Sequence, residues 1–355
     1  MSNSINSTRN YNLYEIQDGD TLDRIARKLN VEIQELRQYH NSRSEIENCM
    51  GSRLPQHLKF IIIPHENEKD ELLKNKKPEP VRFVNNEFVL PFRPYELFTE
   101  YSVTYTIEKE GKKQTLRQYY KLKRLQPETK QIDYHFIQIN KISPLLINEK
   151  LAEEKVYSMA EKTAELLFPL RIVVDKWGKW IDLNSYYKIK ARWEKEKYNL
   201  KEVFDGKQYD TLVKTMESDI VNDKSLVSFV SGNWFLRAFF NKLHVAYQKE
   251  LEIEKKLFFP VFTEIEDVEF LITQKVNPYL DDLNRVIVTQ EGQTADANLN
   301  GTYNATYFLH PQSYIIEHLI VECDFADLNH KIKIVVENLN QRKISAPTGV
   351  SLYVN

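Results

Sequence analysis

Tyr14-Glu15-Ile16-Gln17-Asp18-Gly19-Asp20-Thr21-Leu22-Asp23-Arg24-Ile25-Ala26 is the stretch that decides how the front of this chain folds. A short alternating segment ends at Gly19, which can take the positive φ needed to turn out of a strand. Asp20 or Thr21 can then accept from the free amides at a helix start. Leu22, Ile25, Ala26 and Leu29 recur at helical spacing, so residues 21–29 carry one apolar face. Asn30 suits a helix end, and Val31, Ile33, Leu36 and Tyr39 outline a second amphipathic helix over about 32–40. Phe60-Ile61-Ile62-Ile63-Pro64 reads as a strand closed by a proline. Two strands with two helices between them predict a βααβ unit over 11–64, small for an independent core.

The same residues resemble the LysM domain family. Its opening pattern, Tyr-x-Val-x-x-Gly-Asp-Thr-Leu-x-x-Ile-Ala, is closely matched from Tyr14 to Ala26, and its closing strand and proline by residues 60–64. Asn41 falls where the family has its common asparagine after the second helix. The family usually reaches its last strand through a short segment ending Pro-Gly-x-x-Leu-x-Ile-Pro. Here the connection from Ser42 to Leu58 is longer, and Leu54-Pro55-Gln56-His57-Leu58 has no glycine after the proline.

LysM domains bind N-acetylglucosamine-containing glycans such as peptidoglycan and chitin, through the loop after the first strand and the loop before the last. The resemblance therefore implies glycan contacts from Gly19, Asp20, Thr21, Leu22 and Ile25, joined by Asn41, His57 and Leu58. Backbone amides of the first loop would bind acetamido and hydroxyl groups, and Leu22 or Ile25 would meet the N-acetyl methyl. The first loop is intact and the second altered. A LysM fold reused to dock on protein is the alternative.

At 355 residues the chain is too long for this unit alone, and roughly two domains are expected. A net charge of −2 argues against a general attraction to nucleic acid or an anionic membrane. The two cysteines, Cys49 and Cys323, lie in different predicted domains, so a disulfide framework is not expected. The run Met1-Ser2-Asn3-Ser4-Ile5-Asn6-Ser7 has no basic segment and no apolar core. No signal peptide is visible in it, which predicts a cytoplasmic location or delivery to the envelope by another route. No apolar run is long enough to span a bilayer.

Residues 1–10 are polar and expected to be disordered, and residues 65–80 form a charged linker ending in prolines. The remainder, 81–355, reads as strands, then helices, then strands. Hairpins are predicted around Glu110-Gly111-Lys112 and Asp175-Lys176-Trp177-Gly178-Lys179, with a strand over 134–139. Helices are predicted over 148–167, 184–200, 206–221 and 224–254, the last broken near Gly232-Asn233. Strands follow over 268–273, 285–290, 302–309, 314–323, 331–337 and 350–354. This order predicts an α+β binding or scaffolding domain with one curved antiparallel sheet and helices on a face.

No phosphate-cradling glycine loop, zinc-protease helix or nucleophile elbow occurs, and no cofactor or metal is expected. Two carboxylates alone can suffice for a glycosidase, and Glu264, Glu266, Asp267 and Glu269 are the acidic cluster to weigh. The solvated edge of a strand accounts for them better. His310, His318, Glu322 and Asp324 match no usual zinc spacing. Trp177, Trp180, Trp193, Trp234, Phe235, Phe239 and Phe240 read as core, with Trp177 on a hairpin tip the least tied down. Lys249-Glu250-Leu251-Glu252-Ile253-Glu254-Lys255-Lys256 reads as a charged helix end.

The sequence thus predicts a non-enzymatic binding protein: peptidoglycan or a similar glycan through 11–64, and a partner through the second domain. The alternative is a structural adaptor of a contractile injection or secretion machine. Single LysM domains without signal peptides occur in baseplate and tail proteins of such machines, where the unit docks on protein. A wall hydrolase is the third reading.

Overall fold

Strand β1 (Asn12–Glu15) pairs antiparallel with β2 (Phe60–Ile63), Asn12 opposite Ile63 and Glu15 opposite Phe60. The structure is a computed structural model that describes residues 12–17, 20–29, 31, 33–51, 54–55, 57–65, 79–84, 87–126, 133–148, 150–151, 161–162, 164–204, 206–262 and 266–342. Between the two strands lie α1 (Leu22–Leu29) and α2 (Ile33–Asn41), which complete the βααβ arrangement. Leu22, Ile25 and Ala26 of α1 meet Leu36 of α2, Met50 and Ile61 in a small core. Each large side chain buried there contributes about 1.5–3 kcal/mol of transfer free energy, a modest total for a free-standing unit.

The rest is mixed α+β, built on one large antiparallel sheet. Its strands are β3 (Phe98–Lys109), β4 (Lys112–Leu125), β5 (Tyr134–Lys141), β6 (Leu146–Ile147), β7 (Lys150–Leu151), β8 (Leu170–Asp175) and β9 (Trp180–Leu183). After the helices come β10 (Glu252–Phe259), β11 (Val268–Val276), β12 (Val286–Thr294), β13 (Thr302–Leu309), β14 (Ile316–Phe325) and β15 (His330–Asn338). The spatial order is β10-β11-β12-β13-β14-β15-β3-β4-β5-β8-β9, with the short β6 and β7 beside β4. The first and last described strands of the sheet therefore pair with each other, β15 against β3.

Helices α3 (Tyr186–Val203), α4 (Gly206–Asp219), α5 (Asp223–Ser231) and α6 (Trp234–Phe239) fall between β9 and β10, and α7 (Leu339–Arg342) follows β15. Asn222 and Asn233 accept from the amides of Ser225 and Leu236, capping α5 and α6. Helix α6 fills the hollow of the sheet. Tyr120 of β4 stacks on Phe235, with centroids 5.0 Å apart and planes 3° from parallel. Tyr101 of β3 meets Phe239 edge-on, and Tyr307 of β13 donates to the carbonyl of Ala238 at 3.1 Å. Strands four places apart touch one short helix, so the sheet is curled around it. A chain of buried amides closes the same side. Gln290 donates to Gln274 (2.7 Å), Gln274 to the Leu243 carbonyl (2.9 Å) and Asn241 to Gln290 (3.1 Å).

The predicted helix over 224–254 is corrected. Helix stops at Phe239, and Glu252-Ile253-Glu254-Lys255-Lys256-Leu257 is a strand at the sheet's edge, not a helix end. Pairing with β11 overrides the helix propensity of its Glu, Lys and Leu residues. Of the helix expected over 148–167, residues 161–162 and 164–167 are helical, residues 150–151 form β7 instead, and residues 152–160 lie outside the described residues, as do the strand expected over 350–354, residues 1–10 and most of the linker. Trp193, Phe235, Phe239 and Phe240 are core. No helix among the described residues is long and apolar enough to cross a membrane.

Candidate functional site

The first loop of the βααβ unit is organised by one carboxylate. Asp20 Oδ2 accepts from the Tyr14 hydroxyl (2.8 Å) and the Gln17 amide (3.0 Å), and Oδ1 accepts from the Lys28 ammonium (2.8 Å). Lys28 above all, then the Gln17 amide and the Tyr14 hydroxyl, pull its pKa down to about 2. The loop is thereby stapled to β1 and α1. Thr21, exposed, accepts from the Arg24 amide at 3.3 Å and opens the helix. Asp18 and Gly19 lie outside the described residues.

Leu22 is 4% exposed and Ile25 is 0% exposed, both inside the small core. The apolar surface expected of them toward an N-acetyl methyl is spent on packing. Asn41 has an internal partner too: it donates to the Met50 carbonyl (3.0 Å) and accepts from the Met50 amide (2.7 Å), clasping the segment after α2. Buried His40 holds the same segment to β2, accepting from the Ile62 amide at Nδ1 (3.0 Å) and donating from Nε2 to the Asn48 carbonyl (2.9 Å). Leu58 is half-buried against the small core.

His57 faces the large sheet. Its Nδ1 is 3.3 Å from Lys333 Nζ of β15 and 4.0 Å from the Glu322 carboxylate of β14. An ammonium can only donate, so Nδ1 accepts and Nε2–H donates to the Glu47 carbonyl at 3.0 Å. That is the neutral ring, and burial, then the Lys333 charge, lower its pKa. The contact continues at Gly51, where an added β-carbon would sit 2.9 Å from Thr306 Oγ1.

The sheet presents its convex face here. Tyr303, Ala305, Tyr307 and Leu309 of β13 belong to the main core, so by strand alternation Thr306 and Phe308 point the other way. Phe308 is nevertheless fully buried. The Arg285 guanidinium lies 4.3 Å from its ring centroid, and His318 packs at 5.4 Å. Phe308 also lines a cavity of about 160 Å³ together with Cys49, Leu54, Pro55 and His57. Arg37 and His318 are buried on this side as well, and Asp281 and Asp282 are the charges felt most by Arg37.

Beside this contact a polar groove of about 470 Å³ separates Glu47 and His57 from Thr104, Thr106, Thr115 and Arg117 of β3 and β4. Apart from the His57 imidazole no aromatic ring lines it among the described residues, so it has hydrogen-bonding groups for a sugar and no tryptophan, tyrosine or phenylalanine for stacking.

Several of the other groups singled out in the sequence have structural partners, while Glu264 lies outside the described residues. Asp267 pairs with Arg237, Glu269 with Lys256, and Asp324 with Lys331. His310 accepts from the Ser313 amide. Both cysteines are free and buried. The interface residues Arg285, Thr306, Phe308 and Lys333 escaped sequence reading. The one available signal was Phe308, an apolar residue out of phase with the inward positions of its strand.

No protein-family model matches the chain, and no curated protein matches it.

Proposed function

We propose that the chain is a non-enzymatic scaffold in which a LysM-like βααβ unit docks on protein, and that it works as an adaptor of a contractile injection or secretion machine. The observation that carries this reading is the seating of His57 on Lys333 and Glu322 of the sheet. This contact supports docking on protein, because His57 belongs to the loop that a LysM domain would offer to sugar. Leu22, Ile25, Asn41 and the Asp20 carboxylate have internal partners as well. Co-purification of the full chain with tube, spike or baseplate proteins is the expected outcome. A monomer without partners, pelleting with the wall, would overturn it.

Recognition of peptidoglycan is the second reading, favoured by the exposed Thr21 on the first loop. It predicts that the full chain pellets with insoluble peptidoglycan and is released by oligomers of N-acetylglucosamine.

A further inference from the structure

Among the described residues the large sheet does not close. At one end β9 makes its outer contacts with a stub of chain: the Trp180 amide donates to the Phe240 carbonyl at 3.1 Å, and Lys179 bridges to Asn241. At the other end β10 pairs with β11, and no other strand of the described residues lies beside its outer edge. Between the two ends lies a cavity of about 960 Å³, lined by every residue from Glu252 to Phe258. Inward and outward residues of a strand can line one space together only where its backbone edge is open to that space. None of the lining residues belongs to the βααβ unit.

The seam is cationic. Arg237 and Lys256 on its wall are paired with Asp267 and Glu269, and Glu252 with Lys275. Lys179, Lys242 and Lys255 have no ion pair among the described residues, against Glu254 alone. Lys242 is held in the left-handed region (φ 62°), a turn that aims the carbonyls of Asn241 and Lys242 at the Lys255 ammonium (3.5 and 3.1 Å). Burial, and then the Lys242 charge, lower the Lys255 pKa to about 7. A half-buried ammonium held by two carbonyls, with no carboxylate paired to it among the described residues, gains from an incoming carboxylate.

We propose that this seam receives an extended acidic segment of a partner protein, which adds as a strand to the free edge of β10 and sets its carboxylates against Lys179, Lys242 and Lys255. Backbone pairing would supply affinity and the three lysines the selection for acidic side chains. The inference stands whether the βααβ unit takes protein or glycan.

The test uses the full chain and a short fluorescein-labelled peptide alternating valine and glutamate, read by anisotropy. Saturable binding is expected, with none for the valine–lysine counterpart. Lys179→Glu, at an exposed position, should weaken it by about tenfold or more, as should Lys242→Glu. N-methylation of one alternate set of peptide amides should abolish binding while methylation of the other set leaves it intact. Failure of the glutamate peptide to bind overturns the proposal. Equal binding of both methylated peptides also overturns it, because the seam would then be a pocket for free anions. A thermal melt of each variant matching the parent excludes misfolding as the cause of lost binding.

Discussion

Gly51 packs against Thr306 so closely that a β-carbon at position 51 would lie 2.9 Å from the threonine hydroxyl oxygen. That approach joins the small unit to the convex face of the large sheet. Gly51→Ala should therefore weaken docking by about 1–3 kcal/mol, the usual range for overpacking. The double variant with Thr306→Ala should recover most of it. Limited proteolysis of the connection between the two parts is the readout, and equal cleavage of the single variant and its parent would refute the contact.

Leu22→Ala or Ile25→Ala should unfold the βααβ unit rather than trim a binding surface. Each leaves a cavity in a core of few side chains, at a cost of about 2–5 kcal/mol. Loss of amide dispersion for residues 12–63, with the large sheet intact, is the expected spectrum. A folded unit with weakened ligand binding would assign these side chains to a site.

Asp20 links the first loop to acid. Its folded pKa is about 2, below the ordinary carboxylate value, so its contribution is complete above the unfolded pKa and is lost as pH falls through about 2. In Asp20→Asn that acid step should vanish, while the unit loosens at neutral pH. A carboxyl resonance titrating near its ordinary value would contradict the three-donor geometry.

His244 and His318 are buried with pKa values lowered to about 3. The unfolded chain then binds more protons than the folded one between about pH 6.5 and 3, so stability falls as pH falls across that window. Each ring contributes a slope of up to about 1.4 kcal/mol per pH unit. Urea midpoints should drop between pH 7 and 4, and midpoints constant over that range would rule the two buried neutral rings out.

Phe235→Ala should cost about 3–5 kcal/mol, because it removes the ring on which Tyr120 stacks and empties the hollow of the sheet. Calorimetry of the full chain checks it, the expected result being a lower melting temperature for the large domain alone.

Local chemistry made much of this architecture legible. The turn at Glu110-Gly111 takes positive φ at both residues, as its composition asked, and the strands on either side form in register. The two short helices after Asp20 follow from apolar spacing that no distant contact has to supply. Where two local signals competed, the wrong one was easy to choose. Residues 252–257 include the good helix formers Glu, Lys and Leu, and only the presence of β11 beside them settles the competition for strand.

The candidate site was less legible for the same reason. The chain itself determined that a βααβ unit stands at the front, that a strand-rich domain follows, and that Asp20, Asn41 and His57 are polar groups needing partners. Which partners they find was decided by tertiary structure alone. Asp20 and Asn41 are satisfied inside the unit, while His57 meets Lys333 and Glu322 more than 260 residues away in sequence. Periodicity reports which face of a strand turns inward. It carries no information about what will cover the other face, because that depends on how two separately encoded surfaces fit when the chain brings them together.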